Sequence, residues 1–129
     1  MSDEDADSGE AGRLIEAADL DAARAAIAGV AVRTPVLPSE ELAELAGGPV
    51  ALKAESLQRA GSFKLRGALA KLATLGDTEA GLVTASAGNH GRAVAYAARA
   101  KGVACAVFMP RDAAVSKVEA VKSLSLIHI

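Results

Sequence analysis

Cysteine, tryptophan and aromatic residues in general are scarce in this 129-residue sequence. Cys105 is the single cysteine, which excludes an intramolecular disulfide framework and a cysteine-based zinc site. Aromatic residues make up 2% of the chain, whereas hydrophobic residues make up 51% and include many alanines. We therefore expect a core of Ala, Val and Leu in which the helices pack closely.

A strong excess of charge of either sign is also missing. The formal net charge is -2, so there is no electrostatic case for nucleic acid or an anionic membrane as a partner. No apolar run approaches the roughly 20 residues that span a bilayer, and the start lacks the basic and apolar regions of a signal peptide. Residues 1–12 contain five Asp or Glu and no large apolar side chain after Met1, which predicts a disordered acidic tail. We expect a cytoplasmic protein.

Helical periodicity and short apolar runs alternate along the rest of the chain. Helices are predicted over residues 20–27, 40–46, 63–75 and 90–101 and from Ser116 onward, with Ser39, Ser62 and Ser116 as candidate caps and Gly29, Gly76 and Gly102 as stops. Strands are predicted over residues 50–54, 82–85 and 103–109, and an extended or turn segment at residues 33–35. Strand, helix and strand with short connections form a βαβ unit. The predicted class is α/β, with a parallel sheet covered on both faces.

The last six residues, 124–129 (LSLIHI), do not continue this pattern. They interrupt an amphipathic helix, and they resemble the translated end of a transposon adapter used in preparing sequencing libraries. A terminal strand is the simple alternative. We favour the adapter, a non-native terminus, because truncation also explains why the α/β pattern ends inside an element.

The first candidate site residue is Lys64, which follows a Gly-Ser turn and lies in the first turn of a predicted helix. The positive end of the helix dipole there disfavours the ammonium form, and this favours the amine as a nucleophile. Taken alone, a solvated surface lysine is the commoner explanation. The adjacent Ser62 is sufficiently explained as the cap of this helix.

The second candidate is the segment at residues 84–91 (TASAGNHG), where a predicted strand ends and a helix begins. Free N–H groups at a helix start bind carboxylate or phosphate, and Gly88 and Gly91 allow a ligand to approach closely. The carboxyl end of a strand is also where open α/β sheets bind ligands. An ordinary strand–helix turn is equally compatible with the spacing. The dinucleotide-binding fingerprint is excluded because no G-x-G-x-x-G is present.

The two motifs together, SFKLRGA at residues 62–68 and SAGNHG at residues 86–91, closely resemble those of fold-type II pyridoxal-phosphate enzymes. Within that family the chain is similar to the threonine ammonia-lyase (threonine/serine dehydratase) and serine racemase branch, because related threonine synthases usually carry aspartate where this chain has Leu65. The resemblance extends over about residues 20–122. It implies the tryptophan synthase beta-like fold, an open parallel sheet with helices on both faces, present here incompletely. Residues 13–123 then form the N-terminal part of a catalytic domain.

The resemblance also implies a role for each motif residue. Lys64 is the Schiff-base lysine that holds pyridoxal 5'-phosphate and moves a proton at the alpha carbon of the substrate. Phe63 packs against one face of the cofactor ring, and Asn89 bonds the ring hydroxyl. No metal is implied. The substrate carboxylate is expected at three residues: Ser86, Gly88 and His90.

Four other residues leave questions open. Ala87 stands where many members have a second serine, and Arg92 stands where glutamine is common. Arg92 either alters substrate preference or faces solvent, with solvent the favoured interpretation. Arg66 is either structural or neutralises charge near the cofactor. Cys105 lies in an apolar run, which favours a buried inert thiol over a nucleophile.

For a full-length relative, the resemblance implies pyridoxal-phosphate-dependent deamination of threonine or serine to 2-oxobutanoate or pyruvate and ammonia. 2-Oxobutanoate is the entry to isoleucine synthesis, and a homo-oligomer is implied. A racemase or a 3-hydroxyaspartate ammonia-lyase of the same family is the first alternative. A non-enzymatic anion-binding α/β module with Lys64 as a surface lysine is the second. The sequence contains no glycine-rich loop for the cofactor phosphate, so the 129-residue chain is expected to be inactive by itself.

Overall fold

The computed structural model describes residues 14–76, 78–123 and 127–128. The predicted acidic tail at residues 1–12 lies outside the described residues. A single 3-10 turn, Glu55–Leu57, lies between the second strand and the third helix. The helices are α1 (Ala17–Ile27), α2 (Glu40–Ala46), α3 (Lys64–Thr74), α4 (Asn89–Lys101) and α5 (Val115–Lys122). The strands are β1 (Val36–Pro38), β2 (Ala51–Lys53), β3 (Leu82–Ala85), β4 (Cys105–Phe108) and β5 (Ile127–His128).

The main sheet is parallel and has the strand order β3-β4-β5. Leu82 pairs with Cys105 and Ala85 with Phe108, so β3 and β4 lie in register over their full length. Helix α4 makes the crossover between them and packs on β4. The α/β class with a parallel sheet is therefore confirmed. The short strand β5 pairs with β4 and belongs to the segment that we interpret as a non-native terminus.

A separate two-stranded antiparallel sheet precedes the main sheet, and helix α2 connects its two strands. It pairs β1 with β2, with Val36 opposite Lys53 and Pro38 opposite Ala51. The sequence predicted the second strand, but it did not predict the first and indicated only an extended or turn segment just before it, at residues 33–35. A three-residue run ending in proline carries no alternation of apolar and polar side chains to indicate a strand. Pairing with β2 makes it one.

Helix α4 forms the centre of the core because alanines cover two of its faces. Ala93 and Ala97 face Leu65, Leu69 and Leu72 of α3, all of them buried. On the other side, Ala95 and Ala98 pack against three buried residues: Cys105, Val107 and Val121. Small side chains on α4 let its neighbours approach closely, as the composition predicted.

The thiol of Cys105 lies inside this core. Burial raises its pKa above the usual range of a cysteine, because the charged thiolate is disfavoured away from water. The thiol therefore stays protonated at neutral pH, and the interpretation of Cys105 as an inert core residue is confirmed.

Of the three predicted helix caps, one is confirmed and two are wrong. Ser39 Oγ accepts a hydrogen bond from the Leu42 N–H and caps α2. Phe63, not Ser62, is the N-cap residue of α3 and already has helical dihedral angles. The Ser62 Oγ is buried, and it has no hydrogen-bond partner among the residues that the structure describes. Ser116 is wrong because α5 begins one residue earlier, at Val115, after Ala114.

We expect Leu69→Ala to lower the free energy of unfolding by about 3 kcal/mol, because a fully buried leucine between α3 and α4 leaves a cavity. Urea denaturation of both proteins measures this difference. Leu45→Ala is the matched control, since Leu45 is 80% exposed on α2 and should cost less than about 0.5 kcal/mol. Equal losses for the two variants would show that the α3–α4 contact is not the core.

One face of the sheet remains open within the described residues. Val83 is 73% exposed on β3, and Phe108 is 43% exposed on β4.

Within the residues that the structure describes, no helix combines the length and the apolar character needed to cross a membrane.

Candidate functional site

Lys64 is the first residue of α3, and its side chain is exposed. Its Nζ lies 5.1 Å from the centroid of the Phe63 ring, which is itself 59% exposed. Lys64 lines a pocket of about 390 Å³ together with Thr84 at the end of β3 and His90 at the start of α4. The pocket therefore joins the lysine motif to the strand–helix motif, which the sequence separates by about twenty residues.

The turn between β3 and α4 is held from both ends. The Ser86 N–H donates to the Phe108 carbonyl at 3.0 Å, and Ser86 Oγ accepts from the Gly88 N–H at 3.2 Å. Gly88 is the N-cap residue of α4, in an extended conformation and without a capping side chain. A Cβ on Gly91 would lie 2.5 Å from the Ser86 carbonyl oxygen, so this turn and the first turn of α4 are in close contact.

The start of α4 has the character of an anion site. The first N–H groups of a helix have no partner within the helix, and the dipole adds positive potential there. No acidic residue lies in the first turn of α4, and Asn89 and His90 are exposed. Ser86 lines a neighbouring pocket of about 360 Å³ with Ala87 and Phe108. The described residues contain no cluster of His, Cys, Asp and Glu that would hold a metal ion.

The largely buried carboxylate of Glu55 is the centre of a second group of polar contacts, which involves the helix that begins with Lys64. Arg66 donates to it twice, through Nε at 2.9 Å and Nη2 at 2.7 Å, and the Thr34 hydroxyl donates at 2.5 Å. The Arg66 hydrogen bonds, countered by burial and helped by Thr34, lower the pKa of Glu55 to about 2. Lys53 Nζ lies 3.8 Å from Glu55 Oε1. The open question about Arg66 is resolved by this pairing, since Arg66 joins the first turn of α3 to the segment at residues 32–34.

Gln58 ties the loop before α3 to the same segment. Its side-chain amide accepts from the Val32 N–H at 2.8 Å and donates to the Val32 carbonyl at 2.9 Å. Gln58 is 3% exposed, so this pair of hydrogen bonds is shielded from water. Sequence reasoning missed both Glu55 and Gln58 because their partners lie 11 to 26 residues away, and no local pattern reports such pairs.

Comparison with known proteins identifies the family. The profile described as pyridoxal-phosphate dependent enzyme matches residues 27–125. The chain belongs to this family.

Several relatives lie in the branch that the motifs indicate. The L-threonine ammonia-lyase of Thermotoga maritima is 42% identical over 113 residues, covering 86% of this chain. The serine racemase of Dictyostelium discoideum is 44% identical over 91 residues, or 69% of this chain, and its crystal structure superposes with a TM-score of 0.79 over 86% of this chain and 37% of that one. The crystal structure of a T.th. threonine deaminase has a TM-score of 0.77 at 42% identity, over 89% of this chain and 36% of that one. The fold-type II assignment is therefore confirmed.

The chain spans 28% of the length of the two curated relatives. This share contains the lysine and the strand–helix turn. Within this family the cofactor is pyridoxal phosphate.

The described residues fit that cofactor. An exposed primary amine, Lys64, stands beside an exposed aromatic ring, Phe63, which suits an aldehyde on a planar ring. The lining of the shared pocket is mostly apolar, its charged members are Lys64 and Lys71, and it has no carboxylate among the described residues, which suits an anionic group. The predicted roles of Asn89, Ser86 and Gly88 stay predictions, although all three lie in the turn that adjoins the pocket.

Proposed function

We propose that the full-length form of this protein deaminates threonine or serine to 2-oxobutanoate or pyruvate and ammonia, with pyridoxal phosphate as cofactor. The observation that carries the proposal is the shared pocket, which is lined both by Lys64 of α3 and by His90 at the start of α4. The 42% identity to an L-threonine ammonia-lyase over 86% of this chain supports the lyase reaction.

The residues of the chain divide the work as follows. The Lys64 amine would hold the cofactor through its aldehyde. Once the substrate amine has displaced it from that carbon, the freed Lys64 amine would accept the proton from the alpha carbon. Phe63 covers one face of the cofactor ring, and Asn89 bonds the ring hydroxyl. Ser86, Gly88 and His90 hold the substrate carboxylate with side chains and helix-start N–H groups. When bound, the cofactor supplies the electron sink that makes the alpha proton acidic.

Racemisation of serine is the second candidate, because the D. discoideum relative is a serine racemase at 44% identity. Both reactions remove the same alpha proton. They differ in whether the beta hydroxyl leaves or the proton returns on the opposite face. A 3-hydroxyaspartate ammonia-lyase is a third outcome of the same test.

A chimera tests these candidates. Residues 27–122 of this chain replace the matching segment of the T. maritima L-threonine ammonia-lyase, and the product is supplied with threonine, serine or 3-hydroxyaspartate. We expect 2-oxo acid from threonine or serine. D-serine as the main product would favour the racemase. A chimera that folds, as judged by its thermal transition, but shows no cofactor absorption would favour the non-enzymatic anion-binding module.

We also propose that residues 13–123 form the N-terminal part of the catalytic domain, and that the full-length enzyme is a cytoplasmic homo-oligomer. The 129-residue chain by itself is expected to produce no 2-oxo acid from threonine, because it spans only 28% of the curated relatives and carries no glycine-rich phosphate loop. A coupled assay for 2-oxobutanoate measures this directly. Deamination above the background of free pyridoxal phosphate would contradict the expectation.

A further inference from the structure

The turn that delivers Lys64 is held on one side by known contacts. Gly61 has a φ of +73°, a conformation that favours glycine, and its N–H donates to the Gln58 carbonyl at 2.6 Å. Gln58 is in turn anchored to Val32 through its side chain. The near side of the turn is therefore fixed to the segment at residues 32–34.

The far side of the turn is covered by Arg92. Its Nη2, Nη1 and Cζ atoms lie 3.4, 3.5 and 3.7 Å from the point that a Cβ on Gly61 would occupy. The guanidinium fork thus faces the open side of Gly61 at contact distance. Arg92 lies in the first turn of α4, where its N–H donates to the carbonyl of the N-cap residue Gly88 at 3.2 Å. One side chain therefore connects the lysine loop to the strand–helix turn.

Two buried polar atoms at this contact have no hydrogen-bond partner among the described residues: Ser62 Oγ and Arg92 Nε. Ser62 is only 6% exposed. Buried polar groups without partners oppose folding, so their presence requires an explanation other than stability. Arg92 contacts this turn by packing against Gly61, and its buried Nε makes no hydrogen bond among the described residues. The solvent-facing interpretation of Arg92 is accordingly wrong.

We infer that Arg92 is a positioning residue. Its guanidinium supports the Gly61–Ser62 turn and thereby sets the place of the Lys64 amine relative to the start of α4. The inference rests on the proposed function, in which that amine reacts with the cofactor aldehyde. It assigns a role to an arginine at a position where related enzymes commonly carry glutamine.

Covalent labelling of the 129-residue chain tests the inference. The chain is incubated with pyridoxal phosphate and reduced with borohydride, and the label on Lys64 is divided by the label on Lys71, an exposed lysine that lines the same pocket. Arg92→Lys keeps the charge and the aliphatic stem but loses the planar fork. We expect the Lys64-to-Lys71 ratio to fall by roughly fivefold. The matched control, Arg99→Lys on the exposed side of α4, should leave the ratio unchanged. Equal ratios in the two variants overturn the inference.

Amide exchange provides a readout that needs no cofactor. Peptides covering residues 58–63 should exchange faster in Arg92→Ala than in Arg99→Ala, and equal exchange also overturns the inference. If Arg92→Ala loses its helical circular dichroism, the variant is unfolded. The exchange comparison is then made between Arg92→Lys and Arg99→Lys. The proposed function is tested separately by the chimera, and a folded chimera without cofactor absorption would contradict it. The exchange data then decide separately whether Arg92 supports the turn.

Discussion

Lys64→Ala is expected to remove the main site of covalent pyridoxal phosphate capture and to leave only the weaker label on exposed lysines such as Lys71. The pocket that adjoins the start of α4 contains two lysine amines, and only the one at Lys64 stands in the first turn of α3 next to the Phe63 ring. In the chimera with the T. maritima enzyme, the same change should lower deamination by about 1,000-fold or more.

Mass spectrometry of borohydride-reduced chain measures the first effect. Lys71→Ala is the matched control, because Lys71 lies two turns further along α3 in the same pocket and should leave the label on Lys64 unchanged. If the label is lost in Lys71→Ala and persists in Lys64→Ala, the cofactor binds Lys71 and the expectation is wrong. Circular dichroism of both variants shows that the comparison is between folded proteins.

The second large effect is expected at Glu55. Glu55→Gln removes the charge that pairs with both donor nitrogens of Arg66, and it leaves a guanidinium whose side chain is 30% exposed without a counter-charge. We expect the free energy of unfolding at pH 7 to fall by about 2 kcal/mol, less than for a fully buried pair because water screens Arg66. Glu44→Gln, an exposed change on α2, is the control and should cost less than about 0.5 kcal/mol.

The same pair predicts how stability depends on pH. The pKa of Glu55 is about 2 in the folded protein and 4.5 when unperturbed, so the unfolded state binds the proton first as pH falls. The stabilisation is therefore complete above about pH 4.5 and is lost between about pH 4.5 and pH 2. Urea midpoints measured across this range should converge for the parent chain and Glu55→Gln. A constant difference at every pH would mean that the carboxylate charge contributes nothing.

The Glu55 cluster also bears on the site. Arg66 donates to the Val32 carbonyl at 3.0 Å as well as to Glu55, so the first turn of α3 is tied to the segment at residues 32–34. Lys53, the last residue of β2, donates from its Nζ to the Thr34 carbonyl at 3.0 Å. These contacts set the direction in which α3 leaves the loop. Together with Arg92 on the opposite side, they determine where the Lys64 amine lies.

Local features of the chain were predictable from the sequence. The cap at Ser39 and the left-handed stop at Gly102 depend on a few neighbouring residues, and α2 begins and α4 ends where these residues indicate. Strand β3 matches its prediction, and β4 is shorter than predicted by three residues, Val103 to Ala104 at one end and Met109 at the other. Strand ends depend on which partner groups are within reach, which explains why they were less accurate.

The sequence by itself determined the family, its cofactor and the parallel βαβ arrangement, because motifs and periodicity are encoded in consecutive residues. Only the tertiary structure decided the parts played by Ser62, Arg66 and Arg92. Each of these side chains has its surroundings set by segments far along the chain: Arg66 meets Val32 34 residues away, and Arg92 meets the loop at Gly61. The sequence around each of these side chains does not specify its partner. The partner is fixed only when α3 packs against α4 and brings distant segments together.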